Sequence, residues 1–128
     1  MSLDKLPRVR ISCRGRALDT DISLASTFWS RLKGLAWAAP PPGKWGLLIS
    51  PCSSIHMVGM YYPLEIVFIS KENTVLKICE NIRPWSGFCF CSRAQFALEW
   101  LPGSAASYGI HVGDTLDLEI LTSFDIKR

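Results

Sequence analysis

Between Leu64 and Ile82 the chain reads LEIVFIS, then Lys71, Glu72 and Asn73, then TVLKICENI, and no other stretch restricts the fold as tightly. The first run is rich in β-branched and aromatic residues, the middle is a polar turn, and in the return Val75, Lys77 and Cys79 oppose Leu76, Ile78 and Glu80. That pattern predicts a β-hairpin. A hairpin is not stable alone, so the rest of the chain must cover its apolar residues.

The flanking segments supply more strands than helices. Val9–Cys13 and Ala17–Leu24 alternate around Arg14, Gly15 and Arg16, which predicts a first hairpin. Ser26 or Thr27 can cap a short helix carrying Phe28, Leu32 and Leu35 at helical spacing, with Arg31 on or beside that face and Gly34 interrupting it. The AAPPPGK run at Ala38–Lys44 excludes helix and central strand and forms a surface loop. Trp45–Ser50 reads as a buried strand, and Cys52–Tyr62 as irregular or extended backbone, since Pro63 disfavours helix at the residue before it. Arg83–Gly87 breaks the pairing, and Phe88–Ser92 and Phe96–Leu101 read as extended. Ser104–Tyr108 forms one or two helical turns closed by Gly109, and Thr115–Leu121 is a last strand.

At 128 residues, with 48% hydrophobic and 20% charged side chains, the chain is expected to be one domain spanning residues 1–128. The fold class is α+β, mainly β: a small mixed sheet or partly closed barrel with two short helices. Net charge is only +3, and the basic residues Lys5, Arg8, Arg10, Arg14 and Arg16 crowd the amino end, best read as a solvated face. The near-balanced remainder lacks the continuous basic surface that nucleic-acid binding requires. No apolar run is long enough to span a membrane and the amino end lacks a secretory core, so a cytoplasmic location is expected unless a leader has been removed. Five cysteines, an odd number without an export signal, fit reduced thiols better than a disulfide framework.

Several blocks then fall together: RLKGL at Arg31–Leu35, PCSSIHMVGMYYPLEIVF at Pro51–Phe68, RPW at Arg83–Trp85, ALEWLPGSA at Ala97–Ala105 and YGIHVGD at Tyr108–Asp114. In order and spacing the chain resembles the uncharacterised family called domain of unknown function 192, over roughly residues 17–118. In the bacterial branch that it looks most like, His56, Met60, Pro63 and Leu64 match the central block. Glu65 stands where an aspartate is usual, Met57 where a small polar residue is usual, and Ser86 and Gly87 where many relatives have a basic residue. The resemblance implies a small, mainly β fold and no particular reaction.

Glu65 lies between Leu64 and Ile66, and Glu99 between Leu98 and Trp100; a carboxylate in such a run needs a partner, for which Arg31 and Arg83 are the candidates. A buried ion pair, or a glutamate turned to solvent, is the plain structural reading. The functional reading is a shared polar pocket in which an arginine holds an anion and a glutamate positions or deprotonates a ligand. Cys52, His56 and Met60, each four residues from the next, offer soft donors, and Cys89 and Cys91 add sulfur; single spacings of this kind equally describe core fillers, and no metal or cofactor is assigned. Among five tryptophans, loop-borne Trp85 is the one expected to line a groove.

The expected function is a non-catalytic ligand- or protein-binding accessory module whose pocket draws on Arg31, His56, Met60, Glu65, Arg83, Trp85 and Glu99. An enzyme with Glu/His acid–base chemistry is the alternative, and a soft-metal or redox protein comes third. The partner is an unidentified small molecule or protein.

Overall fold

A computed structural model describes residues 5–26 and 35–121. Its strands are β1 (Arg8–Cys13), β2 (Arg16–Ala17), β3 (Asp21–Ala25), β4 (Trp45–Ile49), β5 (Ser54–His56), β6 (Leu64–Ile69), β7 (Val75–Ile82), β8 (Phe88–Phe90), β9 (Phe96–Trp100) and β10 (Leu116–Ile120). Among the described residues the helical content is one short segment, α1 (Ser104–Ser107). The helix expected over Phe28–Leu35 lies almost wholly outside the described residues, and Trp29 and Arg31 lie outside them with it.

The main sheet runs β10-β1-β3-β4-β9-β6-β7, with β2 paired to β1, and β5 and β8 form a separate two-stranded ribbon. β3 and β4 are parallel and the other pairings antiparallel, so the sheet is mixed. It is curled into a half-barrel. At one corner its end strands meet: Thr74 bridges Thr115, Val75 N–H donates to the Asp114 carbonyl at 2.8 Å, and Leu116 N–H to the Asn73 carbonyl at 2.8 Å.

The hairpin β6–β7 sits where the sequence places it, around a turn in which Asn73 takes φ 68°. All six residues of β6 are buried because both faces of the sheet are covered. Val67 and Ile69 join Val9, Ile11, Ile22, Leu48, Leu98, Trp100 and Leu116 inside the curl. Leu64, Ile66 and Phe68 join Leu47, Ile49, Met57, Met60 and Ala97 in a second core on the outer face. The ribbon β5–β8 supplies Ile55 and Cys89 to that outer core. Within Cys52–Tyr62, read from the sequence as irregular or extended backbone, the short extended run Ser54–His56 forms β5 and finds its partner in Phe88–Phe90.

The first hairpin is interrupted. Arg14 (φ 52°) and Gly15 (φ 77°) make its turn, and β2 is only Arg16–Ala17 before the chain resumes pairing with β1 at Ile22 and Ser23. α1 packs Ala105 into the inner core, and Gly109, at φ 68°, ends it as the sequence predicts.

A disulfide joins Cys79 of β7 to Cys89 of β8, across Cα atoms 6.7 Å apart. This corrects the expectation of reduced thiols throughout. A cysteine count says nothing about which side chains the fold sets side by side. Here the ribbon lies along β7, and the Lys77 ammonium also donates to the Phe90 carbonyl at 2.9 Å.

Candidate functional site

Glu65 is a structural carboxylate. It is 1% exposed, and its two oxygens accept the N–H groups of Gly103 at 3.1 Å and Ala105 at 2.8 Å. Those amides belong to the start of α1, where backbone donors lack helical partners. Glu65 thereby fixes α1 against the end of β6, and no arginine is needed to balance its burial.

Glu99 is on the other side of the sheet. Across β6 and β9, Glu65 is opposite Trp100 and Ile66 is opposite Glu99, and successive strand residues face opposite ways. The two glutamates therefore do not share a pocket, contrary to the single polar site expected from the sequence. Period-2 alternation makes either face available to each residue; the register decides it.

Around Glu99 the outer face is otherwise apolar, with Leu47 and Ile66 as its cross-strand neighbours. Burial pushes its carboxyl up to about 8, with no charge or hydrogen bond opposing that among the described residues. Tyr62 is raised to about 12, by burial first and then by the charge of Glu99. Trp45 meets Tyr62 edge to face, ring centroids 6.2 Å apart. Sequence alone places Trp45 in a strand and does not single out Tyr62; the signal that could find them is polar-tipped aromatics beside an isolated strand glutamate.

Met57–Met60 is the knot that ties three loops together. Trp37 N–H donates to the Gly59 carbonyl at 2.8 Å, Trp85 N–H to the Met57 carbonyl at 2.9 Å, and Met57 N–H to the Gly87 carbonyl at 3.0 Å. Met57 and Met60 are buried beneath, whereas Trp37 is 67%, Tyr61 59% and Trp85 46% exposed. Those rings pack on one another: Trp37–Trp85 centroids are 5.5 Å apart, Tyr61–Trp85 5.8 Å and Trp37–Tyr61 6.4 Å, all edge to face. Both tryptophans adopt φ 65°, a left-handed conformation costly for a bulky side chain. Gly59, at φ 87°, lies against Trp37 so closely that a Cβ would be 2.9 Å from its ring.

The remaining expected residues fall around this platform. Arg83 is exposed on the same turn as Trp85, and its carbonyl accepts the Gly87 N–H at 3.0 Å. His56 is exposed on the ribbon, paired with Phe88, and Phe88 and Phe90 point outward beside it while Cys89 points in. Met60 belongs to the outer core. Cys52, half-buried, donates its thiol to the Ser54 carbonyl at 3.2 Å. Among the described residues no group of three or more His, Cys, Asp or Glu is placed to hold a metal ion.

The family whose description is "Uncharacterized ACR", domain of unknown function 192, matches residues 9–118. The chain belongs to this family. The domain of unknown function 192 match begins ahead of the region that the sequence blocks point to, and covers every described strand except the last residues of β10 and the first of β1. No curated protein matches the chain. Among solved structures, a proposed transcription regulator from Sinorhizobium meliloti is similar, at 28% identity and a TM-score of 0.72, over 87% of this chain and 92% of its own. A protein of unknown function from Novosphingobium aromaticivorans shares the fold, at 23% identity and a TM-score of 0.73, over 86% of this chain and 83% of its own. Among the described residues no helix is long and apolar enough to cross a membrane.

Proposed function

We propose that this family member is a non-catalytic binding module and that Trp37, Tyr61 and Trp85 form its contact platform. The observation that carries the reading is the platform itself: large apolar rings left in solvent, locked to one another, and held on two tryptophans in left-handed backbone. Strain of that kind costs on the order of 1–3 kcal/mol per residue and persists where the surrounding structure enforces it, often at ligand contacts. Clustered Trp and Tyr with a neighbouring arginine, here Arg83, is the composition that dominates binding energy at interfaces. Exposed apolar patches rimmed by polar residues mark such surfaces.

A binding role also accounts for what became of the acid–base candidates. Glu65 has both oxygens engaged by α1, Glu99 is behind the sheet from it, and His56 stands on the ribbon's outer face.

The test is a ligand screen by thermal stabilisation, run on the natural sequence and on the Trp37→Ala/Trp85→Ala variant. Saturable stabilisation without turnover, lost in the variant, supports the module. Turnover of a stabilising compound that survives loss of both tryptophans but not of a glutamate would assign the protein to the enzymes instead.

A further inference from the structure

The turn that joins β6 to β7 leaves a hydroxyl proton without an acceptor. Ser70 is 8% exposed, and its Oγ accepts the Glu72 N–H at 3.2 Å and the Thr74 N–H at 3.1 Å. With its lone pairs engaged, the hydroxyl has only its proton left to offer, and no acceptor for it is present among the described residues. Ser70 stands in the wall of a cleft of about 500 Å³. The cleft forms where the loop ahead of β9 meets the turn: Gln95 N–H donates to the Ile69 carbonyl at 2.8 Å, so Arg93 and Gln95 line the same opening as Lys71 and Thr74. A space of that size holds far more than one water and falls within the range of small-molecule sites.

The lining is rich in donors and in positive charge. Lys71 and Arg93 are exposed, and the ion pairs among the described residues, Arg8–Asp21, Arg10–Glu119, Arg14–Asp114 and Lys44–Asp19, include neither. The acidic residues outside the described ones are Asp4 and Asp125; the segment between Ser26 and Leu35 holds none. The described chain ends at Leu121, whose N–H donates to the Arg8 carbonyl, at the far end of β10 from the Thr74–Thr115 bridge. Glu72 also lines the cleft, but it pairs with neither cation, and the two cations outnumber it.

We propose that this cleft binds a small phosphomonoester, its phosphoryl group held by Ser70, Lys71 and Arg93. The donor inventory selects that chemistry. The Arg93 guanidinium and the Lys71 ammonium supply charge-assisted hydrogen bonds, and the Ser70 and Thr74 hydroxyls add neutral ones. A phosphoryl group brings three strong acceptor oxygens and close to two negative charges at neutral pH, enough to engage both cations against the opposing charge of Glu72. A carboxylate brings one charge and fewer acceptor sites for the same set of donors. Leu76, half-buried in the same lining, gives the organic part of the ligand an apolar surface to rest on.

The cleft shares no residue with the aromatic platform, so each can fail without the other. Phenyl phosphate is titrated into ¹⁵N-labelled protein at constant ionic strength while the amide resonances of Glu72, Thr74 and Gln95 are followed. Inorganic phosphate, sodium benzoate and phenol serve as probes of the phosphoryl group alone, a carboxylate and the neutral ring. The site predicts saturable shifts at these amides with phenyl phosphate, weaker binding of inorganic phosphate and benzoate, and none of phenol. Arg93→Gln and Lys71→Gln, each with an otherwise unchanged amide spectrum, raise the midpoint by about tenfold, the effect of one lost charge-assisted hydrogen bond. Lys44→Gln removes an equal charge at the other end of β9 and leaves the midpoint unchanged. Trp37→Ala/Trp85→Ala also leaves it unchanged, even if platform binding is abolished. The proposal is overturned if phenyl phosphate gives no saturable shift, if inorganic phosphate or benzoate binds as tightly as the ester, or if Lys44→Gln weakens binding as much as Arg93→Gln.

Discussion

Glu65 and Glu99 lie on adjacent strands, one position out of register, and on opposite faces of the sheet. That offset gives them different work. Glu65 faces the inner core and ties down α1 through Gly103 and Ala105; Glu99 faces the outer core beside Tyr62.

Removing the Glu65 carboxylate strands two amides at the start of α1. Glu65→Ala is expected to lower stability by about 2–4 kcal/mol in urea unfolding, since charge-assisted hydrogen bonds are lost and buried donors are left unpaired. Glu65→Gln keeps one acceptor oxygen and should lose less. Equal stability of all three proteins would show that Glu65 does not hold α1.

The carboxyl of Glu99 gives stability a definite pH dependence. Its folded value is raised to about 8 from 4.5, so the folded protein holds a proton that the unfolded chain has released. The stabilisation of the protonated form is fully present below the unfolded value and is lost as pH rises towards about 8, with a slope of up to about 1.4 kcal/mol per pH unit. Glu99→Gln should flatten that part of the curve, as measured by unfolding midpoints across the window. An unchanged slope would remove Glu99 as its source.

Gly59 controls the platform. Its φ of 87° and the 2.9 Å approach of a would-be Cβ to Trp37 mean that Gly59→Ala must displace that ring. The variant should lose roughly 1–2 kcal/mol and change tryptophan fluorescence. Gly113→Ala, at φ 97° with open space around its Cβ position, is the control that carries backbone strain alone. Fluorescence that changes equally in both would sever Gly59 from the platform.

The Cys79–Cys89 bond closes the segment bearing Arg83 and Trp85. Alkylation in denaturant without reductant should modify Cys13, Cys52 and Cys91 but neither Cys79 nor Cys89. Replacing both paired cysteines by serine should cost about 2–3 kcal/mol, the range for closing a short loop. Alkylation of all five cysteines before reduction would contradict the bond.

The sheet was largely legible because its signals are local. The run of β6, the polar turn at Lys71–Asn73, the strand after the proline loop and the glycine that ends α1 each follow from neighbouring residues. The site was legible only as a set of residue types. Which way Glu65 and Glu99 face depends on register, and β5 depends on a partner more than thirty residues away in sequence, at Phe88–Phe90. Trp85 stands out through its place after Arg83 and Pro84, yet nothing near Trp37 or Tyr61 announces that the Met57–Met60 turn will gather them beside it.

The binding account is tested most directly by ligand-observed saturation-transfer NMR on a small-molecule library, comparing the natural sequence with Trp37→Ala/Trp85→Ala after both are shown to keep the same backbone amide spectrum. The account predicts compounds that receive saturation from the natural protein, lose it in the variant, and remain chemically unchanged after prolonged incubation. Compounds that bind both proteins equally, or that are converted to product, would contradict it.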